Sequence, residues 1–161
     1  MKKVDALRAL LVRAVPALAA DPSKLAIFVD RGRVGARMGN LSFEYRYTVN
    51  LVLLDYAGDQ DAVMVPIIAW IAEHQPELLQ RQDSEPFGFE SEWLAQDLQD
   101  LSITLDLTER VAVQRVEGGV TTEHLADILP PDIFPGAEDA RLWQGLADDL
   151  ATGERAIVAS R

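Results

Sequence analysis

Cysteine is absent from the 161-residue chain. Its absence excludes a disulfide framework and any thiol, iron–sulfur or Cys-ligated zinc chemistry, and it is compatible with a reducing compartment. Histidine is almost as scarce. His74 and His124 are the only two and stand 50 positions apart, so there is no His-x-x-x-His pair on which to build a zinc site. Both are read as structural: His74 in the last turn of a helix, where an imidazole suits the dipole, and His124 in a strand. No apolar run is long enough to span a membrane. The opening MKKVDALRALLVRAVPALAA is interrupted by Asp5, Arg8 and Arg13 where a signal peptide needs an unbroken apolar stretch, so an amphipathic helix is expected there instead.

Basic residues are outnumbered. Against 26 Asp and Glu there are 15 Lys and Arg, a net charge of −11. Phosphate backbones are held by Lys and Arg, so a specific nucleic-acid partner is not expected. A strongly acidic surface instead keeps a protein soluble until a complementary surface arrives.

The usual catalytic signatures are missing too. The Gly-rich stretch at 32–39 has neither P-loop nor dinucleotide-loop spacing. Ser42, Ser84, Ser91 and Ser102 lie outside any nucleophile elbow. Asp55, Asp59 and Asp61 imitate the start of a calcium loop, but Gln60 stands where its glycine belongs and Pro66 where its final glutamate belongs; helix capping by Asp59 or Asp61 explains them better. No catalytic, cofactor or metal residue is therefore predicted. The remaining enzymatic alternative is a metal-dependent hydrolase using Asp55, Asp59, Asp61 and Glu73, which requires those carboxylates to converge.

What the chain does have is period. Leu41, Phe43, Tyr45, Tyr47, Val49, Leu51 and Leu53 alternate with Ser42, Glu44, Arg46, Thr48 and Asn50, the mark of a half-buried strand. It runs about twice the usual five to six residues, long enough to overhang a core and pair with a neighbour. Leu101 to Val113 repeats the pattern, and Glu117-Gly118-Gly119 predicts a hairpin returning through Val120 to Leu125. Helical spacing of Val4, Leu7, Leu10, Leu11, Val15 and Leu18 predicts a helix over 4–20, bent or shortened at Pro16. A short strand at Leu25 to Asp30, apolar on both faces, is expected to be central. A second helix begins near Asp61, carries Trp70 and stops before Pro76. Phe87 to Leu94 reads as a weaker strand.

Tyr45, Tyr47 and Trp70 have the phase of core residues, whereas Trp93 and Trp143 are candidate anchors for a partner. The order of elements indicates an α+β fold: a single domain with a mostly antiparallel sheet of long strands and helices packed on one face. Residues 1–130 are expected to form that domain. Residues 131–161 form a Pro-containing linker and an acidic extension, with a short helix around Trp143 and a brief strand at 156–159.

The predicted functional surface is an assembly interface. Glu44, Arg46 and Asn50 line the polar face of one long strand, and Glu109 and Arg110 lie on another, all placed to reach a neighbour. Arg31, Arg33 and Arg37 add a local basic loop, for which a solvated flexible turn is the plain reading.

Five segments resemble one family. LAIFVDRG (Leu25 to Gly32), LSFEYRYTVN (Leu41 to Asn50), DYAGDQD (Asp55 to Asp61), VPIIAWIAEHQP (Val65 to Pro76) and SITLDLTER (Ser102 to Arg110) together look like tail completion protein R of the P2-like contractile-tailed phages, over residues 4 to 130. The resemblance implies a non-enzymatic virion component at the head-proximal end of the tail, assembled in the host cytoplasm, and by analogy with tail terminators a hexameric ring. Its implied partners are further copies of itself and the tail tube protein, with sheath and neck or head-completion proteins as others. A neck or head-completion adaptor is the alternative. The arginines of the 31–37 loop and the residues after 136 fall outside the pattern and inherit no role from it.

Overall fold

The computed structural model describes residues 1–83 and 85–127; Ser84, the expected linker, the Trp143 helix and the strand at 156–159 lie outside them. Apolar residues at helical spacing form α1 (Lys2–Ala14), which buries Leu7, Leu10, Leu11 and Ala14. Val15 is extended, and α2 (Pro16–Ala20) starts afresh with Pro16 in its first turn. The single helix expected over 4–20 is thus two, because a proline disfavours helical geometry in the residue before it.

Among the described residues five strands make one antiparallel sheet: β1 (Leu25–Ala36), β2 (Phe43–Tyr56), β3 (Gly88–Ala95), β4 (Leu98–Val116) and β5 (Gly119–His124), in the order β1-β2-β4-β3 with β5 also paired to β4. β1 is a correction on two counts. It is an edge rather than a central strand, with Phe28 and Val29 exposed. It also continues through Arg31 and Arg33 as strand, so that only the end of the basic segment is turn. A bulge between Val29 and Arg31 resets its phase, which conceals its continuity from an alternation test.

The odd-numbered side chains of β2 and β4 face the helices. Tyr47, Val49, Leu51 and Leu53 join Leu101, Ile103, Leu105 and Leu107 against Leu7, Leu11 and Leu18, and against Val63, Ile67, Trp70 and Ile71 of α3 (Asp61–His74). Among the described residues no helix covers the opposite face.

β4 is the spine of the sheet. Its 19 residues pair with β2 along one side. Along the other side β3 reaches Thr104 and β5 takes over at Val111. Among the described residues, the ladder beyond the row Phe43–Val111–His124 is β4 with β5 alone, a two-stranded arm with exposed Val116 and Val120. Gly118 turns it with φ 84°, a conformation glycine adopts without strain.

Candidate assembly interface

Glu109 and Arg110 were both expected to reach a neighbour, but pleating sends them to opposite faces. Glu109 falls in the inward phase between Leu107 and Val111 and is 4% exposed. Its Oε2 accepts the Lys2 N–H at 3.0 Å and its Oε1 the Lys3 N–H at 3.3 Å, satisfying free donors at the start of α1 with a charge that suits the helix dipole. The Tyr47 hydroxyl also donates to Oε1, and His124 Nδ1 lies 2.7 Å from Oε2. Burial works to raise the Glu109 pKa; the hydrogen bonds from Tyr47 and from the Lys3 and Lys2 N–H groups, with the nearby His124 ring, outweigh it and hold the carboxyl below its ordinary value. The same burial, reinforced by Glu109, pushes the Tyr47 hydroxyl well above its ordinary value. Glu109 is therefore an internal anchor, and its assignment to the outer interface is corrected.

Lys3 and Gln75 extend this buried polar cluster. Lys3 Nζ lies 2.8 Å from Asp127 Oδ2, donates to Gln75 Oε1 at 2.8 Å, and donates to the His74 carbonyl at the end of α3. Gln75 Oε1 also accepts the Thr108 N–H at 3.1 Å, while its Nε2 donates to Thr108 Oγ1 at 3.0 Å. Thr108 stands where β3 has ended and β5 has not begun, so a side-chain amide takes a backbone donor that no described strand reaches. His74 stacks on Trp70 with ring centroids 4.7 Å apart.

The outer face carries the other residues singled out for assembly. Arg46 Nε and Glu44 Oε1 pair at 2.5 Å, and Glu44 stands across from Arg110 in the β2–β4 register. Arg110 Nη2 donates to the Ala126 carbonyl at 3.2 Å, and Asn50 Oδ1 accepts from Ser102 Oγ at 2.9 Å. Arg33 is beside Arg46, and Arg31 beside Thr48. Glu44, Arg46, Arg110, Arg31 and Arg33 thus share one patch, Asn50 lies further along β2, and Arg37 is in the turn between β1 and β2. The side chains of Arg31, Arg33 and Arg37 make no hydrogen bond or ion pair with another described residue.

Two features of the opposite edge escaped the sequence reading. Glu90 and Glu92 of β3 are exposed on the same outer face, and Phe89 joins Trp93 among the exposed large apolar residues of that strand. The available signal was the alternation in GFESEWLA, whose apolar phase never becomes a core phase.

The aspartates at the mouth of α3 have local work. Gln60, rather than the expected Asp59 or Asp61, takes the N-cap position of α3 and makes no side-chain capping bond, while Asp59 Oδ1 accepts the Asp61 N–H at 2.8 Å just ahead of it. Asp55 sits at φ 47° and gives its N–H to Asp100 Oδ1 at 2.9 Å. Among the described residues no three His, Asp or Glu side chains gather as a metal site requires.

A family model described as P2 phage tail completion protein R (GpR) matches residues 1–128. Tail completion protein R of Escherichia phage P2 is 37% identical over 135 residues, covering 82% of this chain and 87% of that protein. No solved structure matches the chain.

Proposed function

Because this chain belongs to the P2 phage tail completion protein R family, we propose that it is a structural virion protein that completes the tail at its head-proximal end. In this reading six copies close into a ring that caps the tail tube and prepares that end for head joining. The ring acts by binding, with no reaction of its own. Residues 1–130 are the tail completion unit, and residues 131–161 an extension beyond it. Its partners are further copies of the chain and the tail tube protein, with the sheath and the neck or head-completion proteins adjoining. Assembly takes place in the host cytoplasm, and the product resides in the virion tail.

The observation that carries the reading is the family match, which spans every described strand and helix. The geometry supports it: a sheet with one face that no described helix covers and a projecting two-stranded arm has surface to offer a neighbour, and closed association would cover its edges. On the outer face, Glu44, Arg46, Asn50 and Arg110, with Arg31, Arg33 and Arg37 beside them, are the residues assigned to contact.

The test is electron microscopy of particles made without this gene product and with it restored in trans. Tails of wrong length lacking heads, corrected by the restored protein, support tail completion. Tails of normal length without heads favour the neck or head-completion adaptor. Normal tails bearing heads overturn both.

A further inference from the structure

The two long edges of the sheet carry opposite charge. On the outer face β1 presents Arg31 and Arg33, while β3, at the other edge, presents Glu90 and Glu92. All four are exposed, and none of the four side chains makes an ion pair or hydrogen bond with another described residue. On the helix side the same edges hold exposed apolar groups: Val34 of β1 is 61% exposed, and Phe89 of β3 is 56% exposed. Unpaired edges with solvent-exposed apolar side chains invite pairing with another chain.

We infer that β1 of one copy pairs antiparallel with β3 of the next, extending the sheet from subunit to subunit with Arg31 facing Glu92 and Arg33 facing Glu90. This deepens the ring reading and rests on it. Three features of the sheet carry it. First, both charged pairs are spaced two residues apart, so one register satisfies both, and that register also sets Val34 opposite Phe89 and Gly32 opposite Ser91 on the helix side. Second, strand direction alternates from β1 through β2 and β4 to β3. A rotation that carries one sheet onto the next therefore preserves direction and brings β1 against β3 antiparallel. Third, the competing two-fold arrangements are opposed: β1 against β1 places arginine by arginine and β3 against β3 glutamate by glutamate, and like charges facing one another disfavour association. The charge pattern selects a head-to-tail contact, the kind that closes into rings.

The register has a geometric consequence. Arg33 lies in the row of Arg46, and Glu90, through Ser102, in the row of Val52. Each subunit therefore steps about six residues along the strands, roughly 20 Å, for every four strands of sheet, roughly 19 Å wide. That is a strand tilt of roughly 45°, at the edge of the range closed barrels use.

Charge reversal in the full chain tests this, with sedimentation as the readout. The Arg31→Glu/Arg33→Glu variant and the Glu90→Lys/Glu92→Lys variant should each remain folded by circular dichroism and lose self-association by roughly a hundredfold or more at low salt. Mixed together, they should reassociate by alternating. The quadruple variant should associate with itself. Because the chain has no cysteine, a Val34→Cys/Phe89→Cys variant should oxidise to intermolecularly linked oligomers, and neither single cysteine should. Double variants that associate like the parent, a mixture that stays apart, a parent that is monomeric at every accessible concentration, or a single cysteine that links as well as the pair would each overturn the edge pairing. Tails that complete normally with a non-associating variant would instead refute the ring reading and leave the edge pairing standing.

Discussion

Glu109 and Arg110 share a peptide bond and live in different regions of the molecule. Glu109 lies beneath the start of α1 with a phenol, two backbone N–H groups and an imidazole around it. Arg110 lies on the open side of the sheet, with one carbonyl in reach. The charged interior cluster and the charged outer face are made of the same residue types, and strand phase alone separates them. Inside, losing a partner strands several buried groups; outside, water replaces it.

The largest effect should come from the interior. Glu109→Ala leaves the Tyr47 hydroxyl and the α1 N–H groups without their acceptor and should cost about 3–5 kcal/mol, read as a fall in urea midpoint with little change in slope. A loss below about 1 kcal/mol would erase the distinction between the two regions. The Glu109 pKa is lowered in the fold, so its contribution is fully present above the ordinary carboxylate value of about 4.3 and is lost as pH falls through the lowered folded value. Glu109→Gln should flatten the stability–pH curve in that acid window.

Next comes Gly58. A Cβ there would fall inside van der Waals contact of the Tyr56 hydroxyl and ring. Tyr56 is 4% exposed and donates to the Asp59 carbonyl at 2.8 Å; burial, with the Asp59 charge second, pushes its hydroxyl up to about 12. Gly58→Ala should cost about 1–3 kcal/mol by displacing that ring, visible in thermal unfolding. Smaller again is Asp59→Ala, at about 1 kcal/mol through loss of its bond to the Asp61 N–H, with Asp61→Ala close to neutral; equal losses from both would refute that role for Asp59.

On the outer face Arg46→Glu and Arg110→Glu should each change stability by less than about 0.5 kcal/mol while ring formation or tail capping fails. Sedimentation, together with tail lengths in complemented particles, checks this. Normal rings and head-bearing tails from both reversals would move the contact off these strands.

The same comparison shows what was legible in the sequence. Where period two runs unbroken, in β2 and in β4, the strand and its buried face follow from residue type alone. β1 failed that test because its bulge at Asp30 breaks the alternation and its apolar start imitates a central strand, although among the described strands only β2 pairs with it. Glu109 is charged yet carries the odd-numbered phase of β4, and its burial follows the phase rather than the charge. Gln75 gave no signal, since it depends on a gap between β3 and β5 that exists only once both strands have docked.

β4 also sets a gradient of amide exchange. Leu101 to Thr104 have strands on both sides and helices above, so their hydrogens should exchange only on global opening. Gln114 to Val116 are exposed and, among the described strands, have β5 alone beside them, and a lone two-stranded ladder is marginal in water. One continuous strand therefore joins the slowest-exchanging backbone of the protein to some of its fastest, and a partner gripping the arm would be registered as slowed exchange at Gln114 to Val116 with Leu101 to Thr104 unchanged.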